Sequence, residues 1–175
     1  MTDPVCTSPQ VVLVDLLDRP SGTIEKLEAH RQGLLHRAVS VFIFNAGGEW
    51  LLQRRAGRKY HSAGLWSNTC CTHPYPEERP EDAAQRRLKE EMGLFCPLKK
   101  QFCLTYQAQL EEKLTEYEYD HIFTGYTVDT PVPNPAEVGE WKFVPTQRLA
   151  KDVLDHPDHY TVWFKAIFPR LLKRI

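Results

Sequence analysis

The sequence lacks a long apolar run, an excess of one charge and an export signal. No window approaches the roughly 18 apolar residues of a membrane-spanning helix, and "MTDPVCTSPQ" has neither the basic nor the apolar region of a secretory signal. The 22 basic and 23 acidic residues leave a formal net charge of -1, which does not favour nucleic-acid binding. We therefore expect a cytoplasmic protein, with no nucleic-acid partner and no membrane insertion, that needs a local basic pocket for any anionic ligand.

Cysteine is sparse and its spacing carries no strong motif. The five cysteines, at positions 6, 70, 71, 96 and 103, are an odd number, and a reduced chain is the better interpretation without an export signal. Neither HExxH nor CxxC occurs, so no metal site is marked by spacing alone. Cys70 and Cys71 are not expected to bond to each other, because neighbouring side chains diverge on a strand and a disulfide between them is strained.

The 175 residues suit a single domain of mixed strands and helices, with its core at about 26–172 and a flexible segment at 1–9. We predict strands at 10–18 and 140–145, a hairpin at 37–55 and strand-like residues at 65–73. A second hairpin is predicted from strands at 100–110 and 114–128, with its turn at Glu111, Glu112 and Lys113. Helices are predicted at 79–94 and 161–175, with a polar segment of uncertain structure at 22–33 and a Pro-rich loop at 130–140. This pattern predicts an α+β fold or an α/β sandwich.

The helix at 79–94 resembles the Nudix box, whose pattern is G-x5-E-x7-R-E-U-x-E-E-x-G-U. Seven positions match the pattern: Glu78, Arg86, Leu88, Glu90, Glu91, Gly93 and Leu94. Two positions depart from it, since Thr72 stands where the box has glycine and Arg87 stands where it has glutamate.

The arginine at 87 changes the predicted chemistry of this helix. Nudix hydrolases use the helix carboxylates to hold the metal that activates water against a diphosphate. Arginine removes one ligand and adds a cation whose planar fork suits phosphate oxygens. We therefore expect the helix to grip a diphosphate rather than cleave it. The alternative is a solvated face with charge pairs such as Arg86 with Glu90.

Three of the seven histidines and a pair of glutamates could form a metal site. His30 and His36 flank the entry to the first hairpin, and His73 ends "NTCCTH". On a strand, Glu116 and Glu118 of "TEYEYD" face the same side. Three imidazoles and two carboxylates suit Zn²⁺, Mn²⁺ or Fe²⁺. Taken singly, each histidine is better explained as a surface or hydrogen-bonded residue.

The segments "LLHRAVSVFIFN", "LLQRR", "SNTCCTHP", "AAQRRLKEEMG" and "TEYEYD" occur in that order. Together they resemble the type I isopentenyl diphosphate isomerases of the Nudix superfamily, from about Lys26 to the C-terminal helix. The resemblance implies a Nudix α/β/α sandwich and conversion of isopentenyl diphosphate to dimethylallyl diphosphate, an early step of isoprenoid biosynthesis. A monomer is expected rather than an oligomer.

The resemblance also implies roles for individual residues. Cys71 and Glu118 match the two proton-handling positions, without deciding which is the acid in the forward direction. The metal set carried over is His30, His36, His73, Glu116 and Glu118, with Mn²⁺ or Zn²⁺ as the ion; His30 departs slightly, being six residues from His36 rather than seven. A second ion, Mg²⁺, would be held by Glu91 and a group of Cys71 beside the diphosphate.

Further matches concern the two ends of the substrate. Lys26, Arg55, Lys59 and Arg87 match the diphosphate-binding positions, although Arg55 and Lys59 could also be basic residues of an exposed hairpin end. Trp163 and Tyr106 match aromatic residues of the hydrocarbon pocket, where a π face can steady a carbocation. Core packing of an amphipathic helix is the alternative for Trp163.

Two other functions remain open from the residues alone. A Nudix diphosphohydrolase acting on a nucleotide or isoprenoid diphosphate is disfavoured by Arg87 and does not need the pair of Cys71 and Glu118. A non-enzymatic metal- or nucleotide-binding module would not need a thiol beside one candidate ligand and two carboxylates facing it.

Overall fold

The computed structural model describes residues 9–57, 59, 61–110 and 113–175. The elements follow in the order β1 (Gln10–Val14), β2 (Pro20–Glu25), α1 (Lys26–Gln32), β3 (His36–Phe44), β4 (Trp50–Arg55), β5 (Trp66–Ser67), β6 (Cys70–Thr72), α2 (Pro80–Met92), β7 (Leu98–Gln109), β8 (Thr115–Tyr126), β9 (Val138–Val144), α3 (Thr146–Asp155) and α4 (Val162–Leu171). A 3-10 turn at Pro157–His159 precedes α4. No helix in these ranges is long and apolar enough to cross a membrane.

The strands form one mixed sheet with β3 at its centre. β3 runs parallel to β8 in a register that pairs His36 with Glu118 and Phe44 with Tyr126. It runs antiparallel to β1, β4 and the short β6. β7 pairs with β8, and β5 and β9 pair with β4. Because β3 contacts both β6 and β8, residues far apart in the sequence become neighbours at its start.

Alternation along the central strands divides the core into two layers. On β3 and β4, Phe42, Phe44, Trp50 and Leu52 pack against the side of the sheet that carries α3 and α4. Val39, Val41, Ile43 and Leu51 pack against the side that carries α2. The sheet therefore lies between helical layers, which confirms the predicted α+β sandwich.

The helix α2 agrees with its sequence signals. Pro80 occupies its first turn, and Gly93 ends it with a φ of 65°, a conformation that glycine adopts at little cost. A side chain at position 93 would also meet the Val132 carbonyl oxygen at 2.7 Å. The turn and the close approach of the 131–137 segment both require glycine here.

The two predicted hairpins are present, and the tail helix contains Pro169 within α4. The residues Glu111 and Glu112 of the second turn lie outside the described residues, as do residues 1–8 of the segment expected to be flexible. Pro9 is described, and its carbonyl accepts a hydrogen bond of 2.9 Å from the Lys26 N–H.

Several elements differ from the predictions, including the tail helix, which ends at Leu171 rather than at residue 175. The first strand ends at Val14 rather than at residue 18, because the Asp15 carboxylate accepts the N–H groups of Leu17 and Arg19 and closes a turn. The segment 22–33 supplies the end of β2 and all of α1. The loop predicted at 130–140 is shorter, since β9 begins at Val138.

Candidate active site

The three predicted histidines meet the second glutamate of "EYE" in the interior. His30 lies on α1, His36 opens β3, His73 follows β6 and Glu118 lies on β8. One candidate ligand atom from each lies within 4.8 Å of the others. The parallel register pairs His36 directly with Glu118, and His73 Nε2 is 3.0 Å from Glu118 Oε1. These four residues form a compact group of candidate metal ligands, called here the His/Glu group.

The hydrogen bonds of His30 and His36 suit coordination of a cation. Nδ1–H of His30 donates to the Lys26 carbonyl at 2.7 Å, and Nδ1–H of His36 donates to the Leu34 carbonyl at 2.8 Å. With the proton on Nδ1, a neutral imidazole leaves Nε2 free to act as a metal ligand. Both Nε2 atoms are buried without a hydrogen-bond partner among the described residues, and His36 Nε2 lies 3.7 Å from Glu118 Oε1. A backbone carbonyl on the other ring nitrogen is common for metal-bound imidazoles. The donor set therefore fits a borderline divalent cation.

Glu116 lies beside this group but is not one of its four members. It lines the same cavity as Glu118, two residues earlier on β8. The Tyr106 hydroxyl is 2.6 Å from Glu118 Oε2 and 3.1 Å from Glu116 Oε2. Tyr106 is not among the described side chains that line the cavity, so it reaches the site through its hydroxyl rather than as a wall of the pocket.

Burial sets the protonation of the acidic groups in different ways. It raises the pKa of Glu116 to about 8, helped by the negative charge of Glu118. Burial would also raise the pKa of Glu118, but the imidazoles of His36 and His73 outweigh it and hold that pKa well below its usual range. Burial raises the pKa of Cys71 to about 12, partly opposed by Arg55. In the ion-free protein at neutral pH, Glu118 is ionised and Cys71 is a thiol.

The two adjacent cysteines occupy opposite sides of β6. Cys71 lines the cavity together with His73, and its strand partner on β3 is Ser40. Cys70 is fully buried in the core on the α2 side. The alternation predicted for an extended segment therefore holds, and only Cys71 of the pair reaches the cavity.

The cavity has a volume of about 120 Å³ and one aromatic wall, Trp163. The indole N–H donates to Ser67 Oγ at 2.8 Å and to Asn68 Oδ1 at 3.0 Å. The Asn68 amide in turn donates to the Val41 and Cys70 carbonyls. These bonds hold the ring in a defined orientation. The sequence placed Ser67 and Asn68 in a strand-like stretch and in the segment "SNTCCTHP", but it indicated no role for either residue.

The four predicted diphosphate-binding residues all line this cavity: Lys26, Arg55, Lys59 and Arg87. Arg55 lies 5.1 Å from the centre of the Trp163 ring and donates to the His61 carbonyl at 3.2 Å. Desolvation lowers the pKa of the half-buried Lys26, and the charges of Cys71, Glu118 and Glu116 oppose this. The positive residues that the neutral net charge required are therefore present in the wall of the cavity.

The Arg87 guanidinium forms ion pairs with neighbouring carboxylates. Its Nε is 2.5 Å from Glu91 Oε1, and its Nη2 donates to Glu137 Oε2 at 2.6 Å. Lys59 forms an ion pair with the same oxygen of Glu137. Burial would lower the pKa of Arg87, but Glu91 and Glu137 raise it above its ordinary value. Arg87 therefore remains a cation at the edge of the cavity.

Glu91 is buried at 4% exposure and also lines the cavity. The Gln53 amide donates both to Glu91 and, at 2.8 Å, to the Thr69 carbonyl. Burial raises the pKa of Glu91, opposed by the charge of Arg87. Gln53 was not predicted as a site residue, although a polar residue inside the buried run "WLLQ" is a usable signal.

The remaining residues of the box-like helix have structural roles. Arg86 donates to both oxygens of Glu78 at 2.7 and 2.8 Å, and it lies 3.3 Å from Glu90 Oε2. Arg86 therefore fits the charge-pair explanation, whereas Arg87 forms charge pairs with Glu90 and Glu91 and also lines the cavity. His61 is a further buried cavity residue that the sequence analysis left without a role.

Comparison with known proteins identifies relatives for most of the chain. The NUDIX domain model matches residues 34–164. "Isopentenyl-diphosphate Delta-isomerase 2" of Aromatoleum aromaticum is 48% identical over 93% of this chain and 86% of its own length. "Isopentenyl-diphosphate Delta-isomerase" of Pectobacterium atrosepticum is 49% identical over 93% of this chain and 90% of its own length.

Solved structures support the fold. DR0079 of Deinococcus radiodurans superposes with a TM-score of 0.68 at 18% identity, covering 83% of this chain and 89% of that chain. The MutT protein of Methanosarcina mazei superposes with a TM-score of 0.63 at 23% identity, covering 80% and 94%. At these identities the likeness concerns the fold alone.

Proposed function

The chain belongs to the NUDIX family and, within it, to the type I isopentenyl-diphosphate Delta-isomerases, and from this membership we propose how its residues act. It is an enzyme that converts isopentenyl diphosphate to dimethylallyl diphosphate. The reaction moves a carbon–carbon double bond by a 1,3-proton shift. An unactivated alkene gains a proton, a tertiary carbocation forms, and a proton leaves the adjacent carbon.

Cys71 and Glu118 are the proton-handling residues in this proposal. Its main support is that both side chains line one cavity with four cationic side chains and Trp163. One group gives a proton to the terminal carbon while the other takes a proton from the carbon on the far side of the cation. The reaction is reversible, so the two groups exchange the roles of acid and base in the reverse direction. The buried cavity limits capture of the cation by water.

The His/Glu group would hold a divalent ion, Mn²⁺ or Zn²⁺, through His30, His36, His73 and Glu118, with Glu116 as a fifth donor. When bound, such an ion orients a carboxylate ligand and changes its acidity. His30 and His36 support this role because their buried Nε2 atoms have no hydrogen-bond partner among the described residues. Tyr106 supports Glu116 and Glu118 by its hydroxyl contacts.

The basic residues of the cavity would hold the diphosphate. Lys26, Arg55, Lys59 and Arg87 supply positive charge, and the two guanidinium groups offer paired donors to phosphate oxygens. Glu91, with a group of Cys71, would hold a Mg²⁺ ion that also contacts the diphosphate. This arrangement leaves the hydrocarbon end of the substrate beside Trp163, whose π face can steady the carbocation.

The thiols are consistent with a reducing compartment. Cys70, Cys71, Cys96 and Cys103 are all free, as expected for a chain that works where disulfides do not persist. We propose that the enzyme acts in the cytoplasm.

Incubation of the metal-loaded protein with isopentenyl diphosphate in D₂O tests the proposal. Exchange at Cys71 and Glu118 predicts deuterium in the dimethylallyl product and, by reversal, in recovered substrate. NMR of the extracted diphosphates gives the positions of the label. Release of phosphate or pyrophosphate without an allylic product would instead favour the diphosphohydrolase.

A further inference from the structure

We propose that Glu137 is a positioning residue of the diphosphate subsite. One of its carboxylate oxygens, Oε2, accepts from Arg87 Nη2 at 2.6 Å and also pairs with the Lys59 ammonium. Glu137 thus joins two cavity-lining cations that arise from different parts of the chain. The inference rests on the proposed role of Lys59 and Arg87 in binding the diphosphate.

The backbone holds Glu137 in a defined place. Its N–H donates to the Asn134 carbonyl at 2.9 Å, and its own carbonyl accepts the Ala56 N–H at 3.0 Å. The Asn134 N–H donates to the Glu91 carbonyl at 2.8 Å. The segment that carries Glu137 is therefore tied both to the end of β4 and to the C-terminal turn of α2, so its carboxylate is a fixed point between them.

The contacts with Glu137 reduce the freedom of two long side chains. Lysine and arginine side chains have many rotamers, and ordering them opposes ligand binding. The side chains of Lys59, Arg87 and Glu137 are only 20%, 19% and 23% exposed, so salt screens their ion pairs less than it screens pairs on the surface. Glu137 therefore orients both cations toward the cavity before the diphosphate binds.

The sign of the effect separates positioning from simple electrostatics. A carboxylate near a diphosphate repels it, so neutralising Glu137 should tighten anion binding if charge alone mattered. Loss of orientation of Lys59 and Arg87 works in the opposite direction. We expect the loss of orientation to dominate, and the diphosphate to bind more weakly.

The test compares Glu137→Gln with the wild-type enzyme and with a matched control, Glu140→Gln. Glu140 pairs with the exposed Arg54 at 2.8 Å and does not line the cavity. For Glu137→Gln we expect KM for isopentenyl diphosphate and the calorimetric Kd for inorganic pyrophosphate with Mg²⁺ to rise about 10-fold, while kcat falls far less. Glu140→Gln should leave all three unchanged. Glu137→Asp keeps the charge but withdraws the carboxylate oxygens. Its KM and Kd should therefore lie between those of the wild type and those of Glu137→Gln.

A Kd for pyrophosphate that stays the same or decreases in a folded Glu137→Gln protein would overturn the inference. Thermal unfolding of each variant establishes that it is folded. Lys59→Ala and Arg87→Ala separate this failure from a failure of the proposed function. If both variants bind pyrophosphate as the wild type does, the assigned diphosphate subsite is wrong. If both lose affinity and Glu137→Gln does not, only the role of Glu137 is wrong.

Discussion

Two groups of residues that line the cavity differ in how their polar atoms are paired: the His/Glu group, called here the His/Glu end, and Lys59 with Arg87, called here the basic end. At the His/Glu end, the buried Nε2 atoms of His30 and His36 have no hydrogen-bond partner among the described residues. At the basic end, Arg87 lies within 3.2 Å of Glu91, Glu90 and Glu137, and Lys59 pairs with Glu137. The first group presents ligand atoms that suit a cation, and the second presents two cations that are paired with carboxylates.

The difference follows from the elements that carry the residues. His36 and Glu118 lie on paired strands whose register sets their distance, so the donor group needs little help from other side chains. Lys59 lies in a connecting segment and Arg87 reaches out from α2, and both need partners to hold a long side chain in place. Rigid elements can position a metal ligand directly, whereas a flexible cation requires a second residue to position it.

The largest effect is expected between the two ends, at Cys71 and Glu118. Cys71→Ala or Glu118→Gln removes a proton carrier, and turnover of isopentenyl diphosphate should fall by about 10³-fold or more with the fold intact. Product formation measures turnover, and circular dichroism shows whether each variant is folded. Cys70→Ala is the control: it should cost about 1 kcal/mol of stability and keep near-normal kcat. Near-normal turnover by Cys71→Ala would refute the acid–base assignment.

Substitution at the His/Glu end should act on metal content. His36→Gln removes an Nε2 donor from the group of four, and we expect at least about 100-fold weaker binding of Mn²⁺ or Zn²⁺. Titration calorimetry and elemental analysis after gel filtration measure this without reference to activity. His156→Gln, at an exposed position, should keep the wild-type stoichiometry. Equal metal content in both variants would count against the proposed ligand set.

Substitution at the basic end should act on substrate affinity. Arg87→Glu replaces a cation near the diphosphate with an anion, and KM for isopentenyl diphosphate should rise about 10- to 100-fold. The change also restores the glutamate of the Nudix box, so phosphate and pyrophosphate release should be assayed in parallel. Arg86→Gln breaks the pairing with Glu78, and it should lower the melting temperature with little change in KM. An unchanged KM for Arg87→Glu would remove Arg87 from the subsite.

The smallest effect concerns a buried histidine outside both ends. His121 lies 3.0 Å from Asp18, and burial lowers its pKa from 6.5 to about 4. The unfolded chain therefore binds a proton that the folded protein does not bind between these two pH values. Stability should fall as pH decreases below about 6.5, by about 2 kcal/mol at pH 5 from this residue. Urea unfolding of the wild type and of His121→Asn at pH 7, 6 and 5 measures how the free energy of unfolding changes with pH. The same pH dependence in both proteins would contradict the lowered pKa of His121.

Much of the local structure could be predicted because short-range signals agree with one another. Pro80 and Gly93 bound α2, and strand alternation separates Cys71 from Cys70. The helix α3 was not predicted, because no strong signal at 146–155 was recognised. Glu137 fell within a segment interpreted only as a Pro-rich loop, and its partners Lys59 and Arg87 come from distant parts of the chain. No local pattern links them.

The order of the residues was enough to predict which chemical groups are available, how they alternate along each strand and, through the order of the motifs, the family. Which of these groups meet depends on the folded chain. The parallel pairing of β3 with β8 brings His36 beside Glu118, and α1 and β6 add His30 and His73 to the same point. Strand pairing between distant segments depends on burial of the whole sheet between its helices, so no short stretch of sequence can specify it.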